Sequence, residues 1–134
     1  MTDIMKKDKG IIIACDTSYE HYHKLLLSTN IDQVSGYKIG FLGLCEGLRK
    51  VVEFTKNYFP GKAVIYDHQK AATDIPHTTN HFMSILKDSS IDAVILYPLA
   101  GKETQKAWIL SALEKNLGVI VGGLMTHGGF LRSE

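Results

Sequence analysis

Apolar residues along the chain gather in short unbroken runs. Five stand out, each rich in β-branched residues: Ile11–Cys15, Tyr37–Phe41, Ala63–Tyr66, Ala93–Tyr97 and Val119–Val121. A strand wetted on one side alternates polar and apolar residues, whereas a strand buried on both faces reads as a continuous apolar run. The runs therefore predict parallel strands. Between them the apolar positions take helical spacing. Tyr22, Leu25 and Leu26 share one face, with Thr17 and Glu20 spaced as a capping box ahead of them. Leu44, Leu48, Val51 and Val52 predict a second helix, ended near Pro60 and Gly61. Phe82, Ile85 and Leu86 mark a third, and Trp108, Ile109, Ala112 and Leu113 a fourth, with Gly118 as its stop.

Strands that alternate with helices predict a parallel α/β fold. Their starts fall roughly 25–30 residues apart, the period of one βα unit in a (β/α)8 barrel. The expected fold is a partial (β/α)8 TIM barrel: about five parallel strands with intervening helices, as one domain over residues 1–134. A doubly wound sheet of the flavodoxin type is the rival, since five strands would complete it. Spacing alone leaves both open. As part of a barrel, five strands would leave an open sheet edge and an apolar interior, and so predict self-association.

Composition narrows the function classes. With 45% hydrophobic and 22% charged residues, 12 Gly and 3 Pro, the chain has the make-up of a soluble globular protein. A net charge of +1, from 15 Lys+Arg against 14 Asp+Glu, gives no field that would draw nucleic acid or an anionic membrane. It still allows a local basic pocket for one phosphorylated metabolite. Cys15 and Cys45 are too few for a disulfide framework or a zinc site and are expected to be reduced packing residues. Met1–Gly10 is polar, and the run Ile11–Cys15 is too short for a signal core or a membrane span, so a cytoplasmic location is expected.

Candidate chemistry sits at the C-terminal ends of the predicted strands. Asp16 closes the first, Lys38 lies within the second, and Asp67 ends the third, followed by His68, Lys70 and Asp74-Ile75-Pro76. Thr126-His127-Gly128-Gly129 follows the fifth. A lysine inside an apolar strand is costly unless paired. In a barrel, Lys38 could point into the mouth, where Asp16, Asp67 and Lys70 converge. Each residue also has a plain structural reading: Asp16 as a turn or cap, Asp74 as an N-cap before Pro76, Lys38 as a snorkelling edge-strand residue, Lys70 as a surface lysine. His77 and His81 are four apart, as metal ligands on a helix would be, but no Glu or Cys companion accompanies them. His21 and His23 should face different ways.

At this point a family resemblance becomes visible. The segment Ile65-Tyr66-Asp67-His68-Gln69-Lys70-Ala71-Ala72-Thr73-Asp74-Ile75-Pro76 resembles the signature of the orotidine 5′-phosphate decarboxylase family, an Asp and a Lys followed by Asp-Ile-Pro. Gly36-Tyr37-Lys38-Ile39-Gly40 is similar to that family's second-strand lysine segment, and Ala14-Cys15-Asp16 to its first-strand aspartate. Met125-Thr126-His127-Gly128-Gly129 is similar to its fifth-strand loop, with Thr126 for the usual Ser and Gly128 for the usual Pro. The gaps Asp67 to Lys70 and Lys70 to Asp74 are each one residue longer than the common form.

The resemblance implies an activity and a set of roles. Orotidine 5′-monophosphate (OMP) would become UMP and CO2 without metal or organic cofactor. Lys38, Asp67, Lys70 and Asp74 would be catalytic, with Lys70 protonating C6. Asp16, Ile75, Thr78 and Thr126 would bind substrate. The Asp-Ile-Pro loop would reach into the other subunit of a homodimer, so that Asp74, Ile75 and Thr78 complete the partner's site. The family grips phosphate in loops after strands seven and eight, which five strands do not include. Arg132 is the only Lys or Arg in the last ten positions. The 134 residues alone are therefore expected to be a slow catalyst. Two other readings are a sister barrel, a metal-dependent lyase or synthase acting on a sugar phosphate, and a truncated barrel without catalysis.

Overall fold

The structure, a computed structural model, describes residues 10–28, 31–67, 72–97 and 99–122. Five strands, β1 (Ile11–Ala14), β2 (Val34–Ile39), β3 (Ala63–Tyr66), β4 (Ala93–Leu96) and β5 (Gly118–Val121), form one sheet. All neighbours are parallel, in the order β1-β2-β3-β4-β5. That order decides between the two candidate folds. A flavodoxin-type sheet runs 2-1-3-4-5, whereas a barrel adds each strand beside the last. The sheet is an open arc of a (β/α)8 barrel.

Helices α1 (Tyr19–Ser28), α2 (Phe41–Glu46), α3 (Leu48–Tyr58), α4 (Thr79–Asp88) and α5 (Lys102–Glu114) form the outer layer, with short 3-10 turns at Ile31–Gln33 and Pro76–Thr78. The core lies between helices and sheet. Tyr22 and Leu26 of α1, Val51 and Val52 of α3, Met83 and Leu86 of α4, and Trp108 and Ala112 of α5 are buried there. From the strands they meet Tyr37, Ile39, Val64, Tyr66, Val94 and Leu96. Aromatic contacts tie the layers, Tyr37 stacking on Phe59 at 5.2 Å and Phe82 meeting Trp108 edge-on at 5.0 Å. Tyr22 and Thr55 share a buried hydrogen bond that joins α1 to α3.

Several local expectations need correcting. Ser18, not Thr17, caps α1: its carbonyl accepts the Tyr22 N–H at 2.9 Å and its hydroxyl the His21 N–H at 3.4 Å. Glu20 therefore lies inside the helix and pairs with Lys24 at 2.7 Å. β2 begins three residues earlier than its apolar run and ends before Phe41, which opens α2. The second helix is two, divided at Gly47, whose φ of 90° is unfavourable for any residue with a Cβ. Ile85 and Leu113 are exposed; Met83 and Ser111 occupy the buried stripe in their helices. Gly118 is the first residue of β5, and α5 is ended instead by Lys115 and Asn116, the latter with a φ of 56°. Cys15 is a core residue as expected, but Cys45 is exposed.

At the opposite end from the candidate site, Asp92 fastens the foot of the sheet. It accepts the Val64 N–H at 2.8 Å and pairs with Lys56 of α3 at 3.0 Å. No helix among the described residues is long and apolar enough to cross a membrane.

Candidate active site

In a parallel sheet, paired residues face the same side and residues two apart along a strand share it. Ala14 pairs with Lys38, Lys38 with Ile65, Ile65 with Ala93, and Ile95 with Ile120. These residues form the concave face, away from the helices. Asp16, Asp67 and Tyr97 follow two residues beyond Ala14, Ile65 and Ile95 on that same side. The candidate site is thus the C-terminal rim of the concave face, where barrel enzymes carry their chemistry.

Lys38 stands between two carboxylates. Its Nζ donates to Asp67 Oδ2 at 2.8 Å and to Asp16 Oδ2 at 3.2 Å. β2 lies between β1 and β3, so the edge-strand reading of Lys38 falls. Burial pulls the lysine's pKa down, but hydrogen bonds and charge attraction from Asp67 and Asp16 outweigh it and set it above the ordinary value. Asp67 has a side chain only 3% exposed, against 54% for Asp16. Its Oδ1 is buried and has no hydrogen-bond partner among the described residues. A buried carboxylate with one oxygen held by a lysine and the other free has room for a second donor.

The backbone fixes this pair. The Asp67 N–H donates to Ile39 O and the Cys15 N–H to Lys38 O, both at 2.9 Å, locking all three strand ends in register. Gly40 lets them close up, since a Cβ there would lie 2.6 Å from Asp67 O and 3.1 Å from Asp16 Oδ1. Burial, then Asp16, pushes the Cys15 thiol up to about 12, so this neighbour stays a neutral packing group. On the far side of Asp16 an open groove of about 660 Å³ runs along α1, lined by Thr17, His21, Leu25 and Ser28 among others.

Of the residues singled out in the sequence, Asp16, Lys38 and Asp67 are brought together. Asp74, Ile75 and Thr78 form a second group in the loop after β3. Asp74 Oδ1 accepts the Ile75 N–H at 2.7 Å, and its Oδ2 is 3.3 Å from the Thr78 hydroxyl. Asp74 thus braces the 3-10 turn that Pro76 opens, without capping it. No hydrogen bond or ion pair links the two groups among the described residues, and Ile75 is 60% exposed. Lys70, Thr126, His68 and His127 lie outside the described residues.

Sequence reasoning missed three features. Tyr97 was read as a strand residue; β4 ends at Leu96, and Tyr97 stands at the rim. Gly122 accommodates its ring. Ala72, fully buried, holds a φ of 69° just ahead of Asp74, a strained conformation for a residue with a Cβ. An aromatic at a strand's C-terminal end was the signal available for Tyr97; nothing in the sequence marks Ala72.

The histidines do not gather. His21 bonds Ser18 at 2.9 Å, while His23 packs on Phe54 with ring centres 4.8 Å apart. No group of three or more metal-ligating side chains is present among the described residues.

Fold and rim together define an arc of a (β/α) barrel with a lysine–carboxylate cluster at its strand ends. Comparison with solved structures makes the fold particular: it is that of the orotidine 5′-phosphate decarboxylases. The decarboxylase of Methanocaldococcus jannaschii superposes with a TM-score of 0.74 at 25% identity, over 90% of this chain. That of Pyrococcus horikoshii OT3 gives 0.70 at 26% identity, over 89%. The Lactobacillus acidophilus enzyme, 19% identical with a TM-score of 0.68, shares the fold. The chain spans little more than half of each, 57%, 54% and 55% of their lengths respectively. No protein-family profile and no curated protein matches the sequence.

Proposed function

We propose that the chain carries the catalytic half of an orotidine 5′-monophosphate decarboxylase, a metal-free carboxy-lyase of pyrimidine biosynthesis. The observation that carries this is Lys38 clamped between Asp16 and the buried Asp67 at the strand ends of the decarboxylase fold. Breaking the bond from C6 to the carboxylate releases CO2 and leaves the electron pair on C6, in an orbital that no ring carbonyl can delocalise. A protein can help only through electrostatics: crowd the departing carboxylate with negative charge, then stabilise and protonate the carbanion. Asp67 is the crowding group. Lys38 holds it in place and reaches a ribose hydroxyl, as does Asp16. Lys70 delivers its proton to C6, and Asp67 Oδ1 is the acceptor available to orient it.

In this reading Asp74, Ile75 and Thr78 serve the site of a second subunit, in keeping with the exposure of Ile75. Thr126 bonds the pyrimidine edge. Asp74 is counted with the catalytic charges, Lys38, Asp67 and Lys70, because it completes the alternation of cation and anion across the dimer. A cytoplasmic location goes with the same reading.

The test is turnover. The protein should convert OMP, followed by its ultraviolet absorbance, slowly but undiminished by EDTA. Lys70→Ala should remove nearly all of it while UMP still binds, because that lysine acts mostly in the transition state. Activity that EDTA removes and magnesium restores would favour a sister barrel acting on sugar phosphates. Turnover by Lys70→Ala within tenfold of wild type would take the proton-donor role from that residue.

A further inference from the structure

Among the described residues, the concave rim holds a large side chain that the roles above leave unused. Tyr97 follows β4 directly, on the side of the sheet that carries Lys38 and Asp67, and is only partly buried. Two observations show that the backbone is arranged to seat its ring. The Leu99 N–H closes on Tyr97 O at 2.8 Å in a tight turn that fixes the residue's direction. Across the strand gap, the Gly122 N–H donates to Leu96 O at 2.9 Å, and a Cβ on Gly122 would lie 2.6 Å from Tyr97 Cε1 and 3.0 Å from Cδ1 and Cζ. A glycine beyond the end of β5 thus leaves the space that the phenol ring fills. The ring's burial, then the charge of Asp67, raise the phenol's pKa, with Lys38 opposing. Tyr97 therefore lies within the electrostatic reach of both members of the central pair.

From this we infer that Tyr97, seated by Gly122, is the wall of the binding site: its ring packs against the planar pyrimidine of the ligand and shields the Lys38–Asp67 pair from water. A flat aromatic surface beside a charged pair suits a planar heterocycle such as a pyrimidine, with its charged carboxylate directed at the pair and its ring face at the tyrosine. An aliphatic sugar phosphate would gain little from it. The contact is made by the ring face or edge rather than by the hydroxyl. Aromatic contact with a nucleobase is lost on truncation to alanine at a cost of roughly tenfold in affinity or more.

The inference rests on the decarboxylase reading, and titration of UMP into the intact protein by calorimetry separates the two. Tyr97→Phe should bind UMP within about threefold of wild type, and Tyr97→Ala roughly tenfold or more weakly with its melting temperature little changed. Should Tyr97→Ala fail to fold, Tyr97→Leu keeps apolar bulk without the planar face and should show the tenfold loss. Wild-type protein that binds no UMP would overturn the function reading and this inference together. Equal UMP affinity in wild type and in whichever truncated variant folds would overturn the wall alone.

Discussion

Lys38 and Asp67 form an unequal pair. Removing the lysine leaves a carboxylate that is 3% exposed with no cation among the described residues bonded to it, whereas removing the carboxylate leaves a lysine that is 21% exposed and still bonded to Asp16. An uncompensated buried charge costs about 3–5 kcal/mol, and loss of one hydrogen bond to a charged group about 1.5–3. Denaturant unfolding at neutral pH should therefore show Lys38→Met as clearly less stable than Asp67→Asn. Comparable losses would mean that water or a second cation, such as Lys70, compensates Asp67. The lysine's raised pKa also fixes a direction with pH. A cation whose folded pKa exceeds its unfolded value contributes stability that is complete below the unfolded pKa, here the ordinary 10.5, and is lost as pH rises through the folded one. The pair was legible in the sequence because a charge within an apolar strand requires a partner. Tyr97 and Ala72 were less so: a tyrosine in an apolar run reads as packing, and a left-handed alanine leaves no mark in composition.

At the scale of elements, the strands were legible because burial on both faces erases alternation. Helix boundaries were not, since they turn on single hydrogen bonds: Ser18 took the capping role of Thr17, and Gly47 divided one apolar pattern into α2 and α3. Exposed Ile85 and Leu113 show the limit of apolar spacing, because it cannot say which side of a helix meets the sheet. Asp92 offers a test at this scale. Asp92→Asn retains an acceptor for the Val64 N–H and loses only the partly exposed pair with Lys56, a change of about 0–1 kcal/mol. Asp92→Ala strands the N–H as well and should cost about 1–3 kcal/mol more. Chemical denaturation of both variants checks the order, and an alanine variant no weaker than the asparagine one would show that Val64 finds another acceptor.

At the scale of the molecule, the two outer strands are the least covered. β1 exposes Ile11 at 54%, and β5 exposes Val121 at 47%, while β2 and β3 are almost wholly buried. Apolar parallel edges of this kind favour association. Sedimentation at micromolar concentration should find a dimer or larger assembly; a monodisperse monomer would remove the basis for a site shared between subunits. The order of strands, once observed, separates barrel from doubly wound sheet, a distinction that spacing could not make. It does not by itself supply chemistry, which depends on where the proton at C6 comes from. The most direct measurement is the product formed from OMP in heavy water with EDTA present, read by proton and deuterium NMR. The account predicts UMP carrying deuterium at C6, formed by the wild-type protein and not by Lys70→Ala. OMP recovered unchanged from wild-type protein, at high protein concentration and long incubation, would contradict it.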